Sequence, residues 1–504
     1  MKSNKSIMRH IFILFFFGLS LPILLSCRHN RLKTSEKELS DEILAQEKAK
    51  NEAKIAELNN ESPESRDNLS GTLRKKEIRS IDSRRPPIKL NLLETNKNIR
   101  DFKLSDVASS VIYIKLETPP DTILVYDPFY NRTSLISSIK VADGQIIFQG
   151  LFGVTRFNMQ GKYQETIWKN ERGINMEGQG VYWMPSSFFG VMPNNPVSIL
   201  NGNIYYTFTN GNNGTGQFMK YKPESTIDIS IQSQREVPGL NSVRGDTLLI
   251  SQKQPMDRFD WIYGAGSDTW VGINQKWNAG KTGSLLVTYN TIGDTICQFT
   301  DFDRIVNFKQ ALYKHPIEFT SYYYDGLLTI KQEFNDTVFR LIPPNRLLPI
   351  YIIDFGEFKV DYMLGLDPNS DISEKFMLNS MHETNDFILI RYTQNNDSPN
   401  NRKKNSVKFF NVLFDKKQMK LYHKPGFSNE PEGIINDIDG GMSFWPDYIT
   451  PQGEMIKLVS GKMIKDFINS ARFRESTISE EDRKKQNSIG TELKSSDMVL
   501  IYVK

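Results

Sequence analysis

The sequence predicts an all-β fold: a six-bladed β-propeller preceded by a signal peptide and a charged, partly helical tether. Three observations carry that prediction. A turn pair followed by an apolar strand recurs six times, at Asp143-Gly144, Asn201-Gly202, Gly245-Asp246, Asp325-Gly326, Asn385-Asp386 and Asp439-Gly440. The intervals run from about 40 to about 80 residues, the range of a propeller blade carrying variable loops. The stretch from Tyr322 to Gly356 is a meander of short strands, turning at Asp325-Gly326, at Asn335-Asp336 and at Pro343-Pro344-Asn345. Asn, Asp and Gly supply the left-handed backbone that tight hairpins need. Helical periodicity is scarce, its clearest case being Gly461 to Phe473, where Met463, Ile464, Phe467 and Ile468 share a face.

The elements follow in order. Lys2, Lys5 and Arg9 precede an apolar run from Ile11 to Leu25, so residues 1–26 read as a secretory signal. The run is shorter than the ~20 residues a spanning helix needs and contains Gly18, Ser20 and Pro22. Leu24-Leu25-Ser26-Cys27 resembles the bacterial lipobox, whose cysteine is acylated, so Cys27 is the expected lipidation site and the membrane the expected partner. The other cysteine, Cys297, is then left as a buried apolar filler, and no disulfide is expected.

Residues 27–100 are expected to form the tether. Glu and Lys interleave from Ser35 to Asn60 in a pattern that supports an exposed helix, with a short coiled coil as the sharper alternative. From Glu61 to Pro87 the composition suits a flexible linker. The globular part, 101–504, opens with the strand Val111 to Leu116 and closes with the strand Met498 to Val503. Pairing the last strand into the blade begun by residues 110–143 would close the ring and leave no free edge.

Residues 104–504 resemble the lipid-anchored six-bladed β-propeller proteins of Bacteroides-type bacteria. The resemblance rests on Leu104-Ser-Asp-Val-Ala-Ser-Ser-Val-Ile-Tyr-Ile-Lys-Leu-Glu-Thr118, on Phe334-Asn-Asp-Thr-Val-Phe-Arg-Leu341 with Tyr351-Ile-Ile-Asp-Phe-Gly356, and on Asn436-Asp-Ile-Asp-Gly-Gly-Met-Ser-Phe-Trp-Pro446. That family usually carries a Gly-x-Gly-Pro-Gly-Glu-aromatic loop. Here Gly178-Gln-Gly180 runs directly into Val181-Tyr182-Trp183, without the Pro-Gly-Glu part. The resemblance implies a fold and an envelope location, and it implies no reaction. Arg28 rather than Asp follows the cysteine, resembling proteins sorted to the outer membrane. The acidic cluster tied to surface display is missing, so the anchor is expected to face the periplasm.

Composition narrows the function. The net charge is +4, with 63 basic and 59 acidic side chains, which argues against a general grip on nucleic acid. Catalytic templates fail in turn. His382-Glu383 starts like a zinc motif, but Asp386 stands where the second histidine should be. Gly441-Met-Ser443 and Gly426-Phe-Ser428 lack the closing glycine of a nucleophile elbow. Gly264-Ala-Gly266 has no third glycine. Asp437 to Tyr448 departs from the calcium-loop pattern at Gly441 and at Tyr448, and a hairpin corner accounts for its acidic residues. No cofactor or metal is expected.

Tryptophan is the remaining signal. Trp261, Trp270 and Trp277, with Tyr263, crowd among glycines before the central meander, while Trp183 and Trp445 sit beside Gly and Pro residues. Ring faces on propeller loops suit sugars or peptide side chains, so these six aromatics form the candidate ligand-binding set. The competing reading is that each Trp fills the wedge between adjacent blades. A non-catalytic propeller binding a glycan, peptide or protein partner is therefore expected. The alternative is a hydrolase or lyase on polysaccharide or peptidoglycan, using channel carboxylates that leave no sequence spacing.

Overall fold

The structure is a computed structural model. It describes residues 86–93, 98–120, 138–142, 144–150, 153–169, 261–266, 269–273, 284–290, 294–300, 319–361, 364–365, 370–396, 401, 406–424, 427 and 433–504. Of the strands at 77–79 and within 198–250, and of Trp261 and Ile262, it describes the backbone alone. The expected signal peptide, Cys27 and the tether as far as residue 76 lie outside these residues.

The chain is built from antiparallel meanders. After β1 (Glu77–Arg79), β2 (Ile88–Asn91) and β3 (Val111–Leu116) come β4 (Ser138–Ala142), β5 (Gln145–Gly150), β6 (Gly153–Asn158) and β7 (Tyr163–Lys169), which form sheet 1. Next are β8 (Ser198–Leu200), β9 (Asn203–Asn210), β10 (Thr215–Lys220), β11 (Thr226–Asp228), β12 (Ser242–Arg244) and β13 (Asp246–Ile250). Of these, β11 and β12 pair with each other, and the other four make sheet 2. Sheet 3 contains β14 (Trp261–Gly264), β15 (Trp270–Ile273), β16 (Ser284–Tyr289) and β17 (Thr295–Thr300). Sheet 4 contains β18 (Thr320–Tyr324), β19 (Leu327–Lys331), β20 (Thr337–Ile342) and β21 (Arg346–Asp354). Sheet 5 contains β22 (Phe376–Glu383), β23 (Phe387–Gln394), β24 (Lys408–Asp415) and β25 (Lys420–His423). Sheet 6 contains β26 (Tyr448–Ile449), β27 (Met455–Ser460) and β28 (Met498–Val503), completed by β3 from the other end of the described chain.

Turn chemistry sets this pattern locally. Asp325 and Gly326 have φ of 51° and 72°, so the two-residue β18–β19 turn has the left-handed backbone that matches strand twist. Four of the six turn marks lie between the first and second strands of a sheet. Sheets 3 and 6 turn instead at Gly266 and Gly453, with φ of 100° and 90°. Gly245-Asp246 leads into β13, and Asp439-Gly440 forms a separate corner. At that corner the Asp439 carboxylate accepts from Asn436, Gly441 and Lys485, and the Asp437 carboxylate accepts from the Ser105 amide and hydroxyl.

First strands of neighbouring sheets approach within 8 Å between Cα atoms, β8 with β14, β18 with β22, and β22 with β26. The sheets therefore converge at their first strands and fan outward, as in a β-propeller. Apolar side chains fill the wedges. Leu285 and Phe299 of sheet 3 pack with Leu328 and Phe339 of sheet 4. Val338 and Tyr351 of sheet 4 pack with Met381 and Ile388 of sheet 5. Leu389 and Leu413 of sheet 5 meet Val499 and Ile501 of sheet 6, and Leu458 and Leu500 of sheet 6 meet Ile146 and Phe148 of sheet 1. Cys297 is wholly buried in the wedge between sheets 3 and 4. The ring closes as the sequence suggests, with β28 pairing along all of β3, although β4 belongs to the next sheet.

The start of the propeller differs from the expected boundary at 101. β1 adds parallel to β17, β2 adds parallel to β21, Ile99 bridges His423 of β25, and Lys103 bridges Ile435. The described stretches 77–79, 86–93 and 98–103, here called the strap, thus lie along the outer strands of sheets 3, 4 and 5. Leu90 and Leu92 are 1% and 0% exposed in the wedge between sheets 4 and 5. The physical reason is alternation within Pro86-Pro87-Ile88-Lys89-Leu90-Asn91-Leu92. The prolines favour extended backbone, and an edge strand needs to bury only one face.

A helical insert separates β27 from β28. It comprises α1 (Gly461–Ile468), α2 (Ala471–Arg474) and α3 (Glu480–Glu492), whose first turns are capped by the hydroxyls of Ser460, Ser470 and Ser479. The polar α3 docks through Gln486, whose amide donates to Tyr113 Oη and to the Asp439 carbonyl, both at 3.2 Å.

Candidate functional site

Strand alternation sends successive side chains to opposite faces, and on β22 this separates two polar clusters. Glu383 points into the wedge between sheets 4 and 5. His382, with Ser380, faces sheet 6 and the convergence of first strands.

The Glu383 cluster is closed. Its carboxylate accepts from Arg340 and Lys416 at 2.6 Å each, and from Tyr322 and Tyr351 at 2.9 Å each. The Glu383 side chain has no exposed surface. Burial alone would raise this carboxyl, but Arg340 and Lys416 outweigh it and hold it below the ordinary glutamate value. Arg340 and Lys416 lie 4.5 Å and 4.1 Å from the Tyr324 ring centroid, covering it with positive charge. With both carboxylate oxygens filled, the group works as a staple between two sheets.

The second cluster is open. Lys140 comes from β4, His382 from β22, Arg391 from β23, Tyr448 from β26 and Lys457 from β27, with Trp445 and Asp447 immediately before β26. Three of these elements, β4, β22 and β26, are first strands of their sheets, so we call the group the axial cluster. Lys140 Nζ lies 4.4 Å from the Tyr448 ring centroid. The Arg391 guanidinium lies 4.2 Å from the Trp445 ring centroid, and its Nε donates to Asn411 at 2.9 Å. Trp445 Nε1 donates to Ser380 Oγ at 3.0 Å, and Lys457 Nζ donates to the Ser443 carbonyl at 2.9 Å. Asp447 Oδ2 accepts from the Leu458 amide at 2.8 Å.

Its electrostatics are those of an enclosed but solvent-reached space. Asp447 is exposed, and Lys140, His382, Tyr448 and Lys457 are half-buried. Surrounding protein still perturbs each of them. Burial lowers Lys140 to about 8, and burial, opposed by Asp447, lowers Lys457 to about 8. Protein packed around the otherwise exposed Asp447 partly desolvates its carboxyl and raises it to about 6, against the pull of the Leu458 amide, Lys457 and Arg391. His382 is lowered to about 3 by burial, then by Arg391 and Lys140, and stays neutral. Accessible surface combined with surrounding protein is what lining positions of a concave site show. Near pH 7 the cationic Lys140 and Lys457, with the buried Arg391 behind them, share the cluster with one carboxylate among the described residues, Asp447.

The aromatic set is distributed differently from the sequence expectation. Tyr263 on β14 is 4% exposed, and its hydroxyl accepts from Ser321 at 3.0 Å. Trp270 on β15 is 2% exposed and Trp445 is 4% exposed, so neither presents a free ring face. Trp445 nevertheless borders the axial cluster through Arg391 and Ser380. Trp261 lies on the first strand of sheet 3, with its side chain outside the described residues, as are Trp183 and Trp277. The sequence singled out Trp445 and missed Lys140, Arg391, Asp447, Tyr448 and Lys457. The signal available was a charged residue interrupting the apolar strand Ile139-Lys140-Val141, and an acid directly after Trp445-Pro446.

Comparison with known proteins gives a family and distant folds. A family model described as a domain of unknown function (DUF4933) matches residues 71–470. No curated protein sequence matches the chain. Among solved structures, a Bacteroides fragilis protein described as exported is similar at 12% identity with a TM-score of 0.47, covering 83% of this chain and 98% of that one. A DUF4221 family member from Bacteroides vulgatus is similar at 8% identity with a TM-score of 0.34, covering 79% and 97%. The WD40 domain of Neurospora crassa Pan2 is similar at 10% identity with a TM-score of 0.27, covering 63% and 72%.

Proposed function

Because this chain belongs to the DUF4933 family of domains of unknown function, its role must be read from its own geometry, and we propose that it is an envelope lipoprotein whose propeller binds a glycan, peptide or protein partner at the axial cluster without chemical turnover. In this reading sheets 1 to 6 are six blades, Cys27 carries the lipid, and the protein faces the periplasm from the outer membrane. The observation that carries the proposal is the convergence of Lys140, His382, Asp447, Tyr448 and Lys457 from three sheets, each with accessible surface, around the buried Arg391. Perturbed ionisable groups and aromatic rings concentrate where ligands bind.

Paired carboxylates would favour hydrolysis, and Asp447 is the one carboxylate in the axial cluster among the described residues. The test is a binding screen of the full chain against glycans and peptides, with turnover followed on the same panel. The strap makes the full chain necessary, because a fragment starting at 101 loses Leu90 and Leu92 from the core. Saturable binding without product supports the proposal. Product formation overturns its non-catalytic part, and absence of binding across the panel overturns the whole. Labelling of intact cells that reaches the protein would overturn the periplasmic orientation.

A further inference from the structure

The distribution of donors and acceptors in the axial cluster narrows the ligand class. Lys140, Arg391 and Lys457 bring three positive charges from β4, β23 and β27. Lys140 has no carboxylate within ion-pair distance among the described residues, its cationic contact being the Tyr448 ring. Lys457 is held by a neutral carbonyl, and Arg391 by an amide oxygen and an indole face. Opposite them stands Asp447, exposed, with Oδ2 engaged by the Leu458 amide. His382 on β22 is neutral and half-buried beside them, and Ser380 Oγ lies on the same face. Lys140 and Lys457 thus bring positive charge without a bonded carboxylate among the described residues, next to a hydrogen-bond acceptor.

We infer that the axial cluster is a receptor for a uronate, a sugar ring carrying one carboxylate and adjacent hydroxyls. The inference rests on the binding role proposed above. The carboxylate sits on the side of Lys140 and Lys457, neither of which has a carboxylate within ion-pair distance among the described residues. The ring hydroxyls donate to Asp447, which needs donors rather than a second anion. An acidic side chain of a peptide supplies the carboxylate and backbone amide donors, but no rigid ring that sets several hydroxyls at a fixed distance from the carboxylate. A zwitterionic amino acid supplies both but brings a second positive charge beside the two lysines. The half-buried Tyr448 ring offers an apolar wall of the kind sugar rings use.

The experiment measures affinity of the full chain for a hexuronate oligosaccharide, for its neutral hexose counterpart and for an acidic peptide of equal charge. The uronate is expected to bind at least 10-fold more tightly than either control. Lys140→Met and Lys457→Met should each weaken uronate binding roughly 10-fold, the scale of one charge-assisted hydrogen bond, and weaken hexose binding by a smaller factor. Lys140→Arg should retain most of the affinity, which separates loss of charge from misfolding. Between pH 7 and 9.5 uronate affinity should fall as the two lysines deprotonate, since Arg391 stays charged, Asp447 is already ionised and His382 is already neutral.

Equal binding of hexose and uronate, preference for the peptide, or indifference to both lysine substitutions overturns the uronate assignment while leaving a binding role standing. No binding to any of the three, or to the wider panel, overturns both.

Discussion

His382 and Glu383 are neighbours in the chain with opposite environments, and each gives a testable consequence. His382 is neutral in the fold because burial, Arg391 and Lys140 lower it from 6.5 to about 3. A group depressed in the folded state binds fewer protons there than in the unfolded chain. Its contribution is therefore complete above pH 6.5 and is lost as pH falls from 6.5 toward 3. Discounted for its partial exposure, this should cost about 1–2 kcal/mol between pH 7 and 4.5, and a His382→Gln variant should lack that component of the slope in urea melts. Glu383 is held by two cations and two hydroxyls. Glu383→Gln leaves Arg340 and Lys416 without their counter-charge and should destabilise by about 3–5 kcal/mol, read as a shift in the urea midpoint at unchanged slope. At this scale the sequence showed Trp445 because tryptophan is rare. It hid Lys140, because a lysine within Ile139-Lys140-Val141 looks like a solvent-facing strand position. Only the convergence of β4 with β22 and β26, distant in sequence, makes it a lining residue.

Elements were legible where their chemistry was local. The hairpin at Asp325-Gly326 carries its own left-handed backbone signal, and Gly461 to Phe473 shows its apolar stripe. The strap and α3 lacked such marks. In α3 Ile489 is the sole large apolar residue, and the helix is held by Gln486 and Lys485 against Tyr113 and Asp439. β2 is four residues long and owes its place to β21, with which it pairs in parallel. Its apolar anchors define the prediction at this scale. Leu92→Ala should destabilise by about 2–4 kcal/mol, since a fully buried leucine between sheets 4 and 5 leaves a cavity that rigid strands do not refill. Ile88→Ala, at a position 37% exposed, should cost less than about 1 kcal/mol. Similar losses at both positions in thermal melts would mean that the strap is not seated in the wedge.

For the whole molecule the decisive pairing is β28 between β27 and β3. Its apolar residues Val499, Leu500, Ile501, Tyr502 and Val503 are all buried, at about 1.5–3 kcal/mol each. Their sum is comparable with the roughly 5–15 kcal/mol by which a domain is stable. Deleting residues 497–504 should abolish cooperative thermal unfolding, monitored by circular dichroism. A sharp transition near the wild-type temperature would show that the ring holds without its closing strand. The recurring turns made the repeat visible in the sequence, whereas the overlap of the strap with sheets 3, 4 and 5 was not, because it depends on a second pass of the chain around the ring. That overlap also has a mechanical side. β1 and β2 run parallel to the strands they border, so tension drawn along the strap from its N-terminal end shears each ladder along its length instead of unzipping it one bond at a time. A pull would have to slide β1 before it reached β2, and β2 before it disturbed β3, so the strap shields the closing sheet from strain applied upstream.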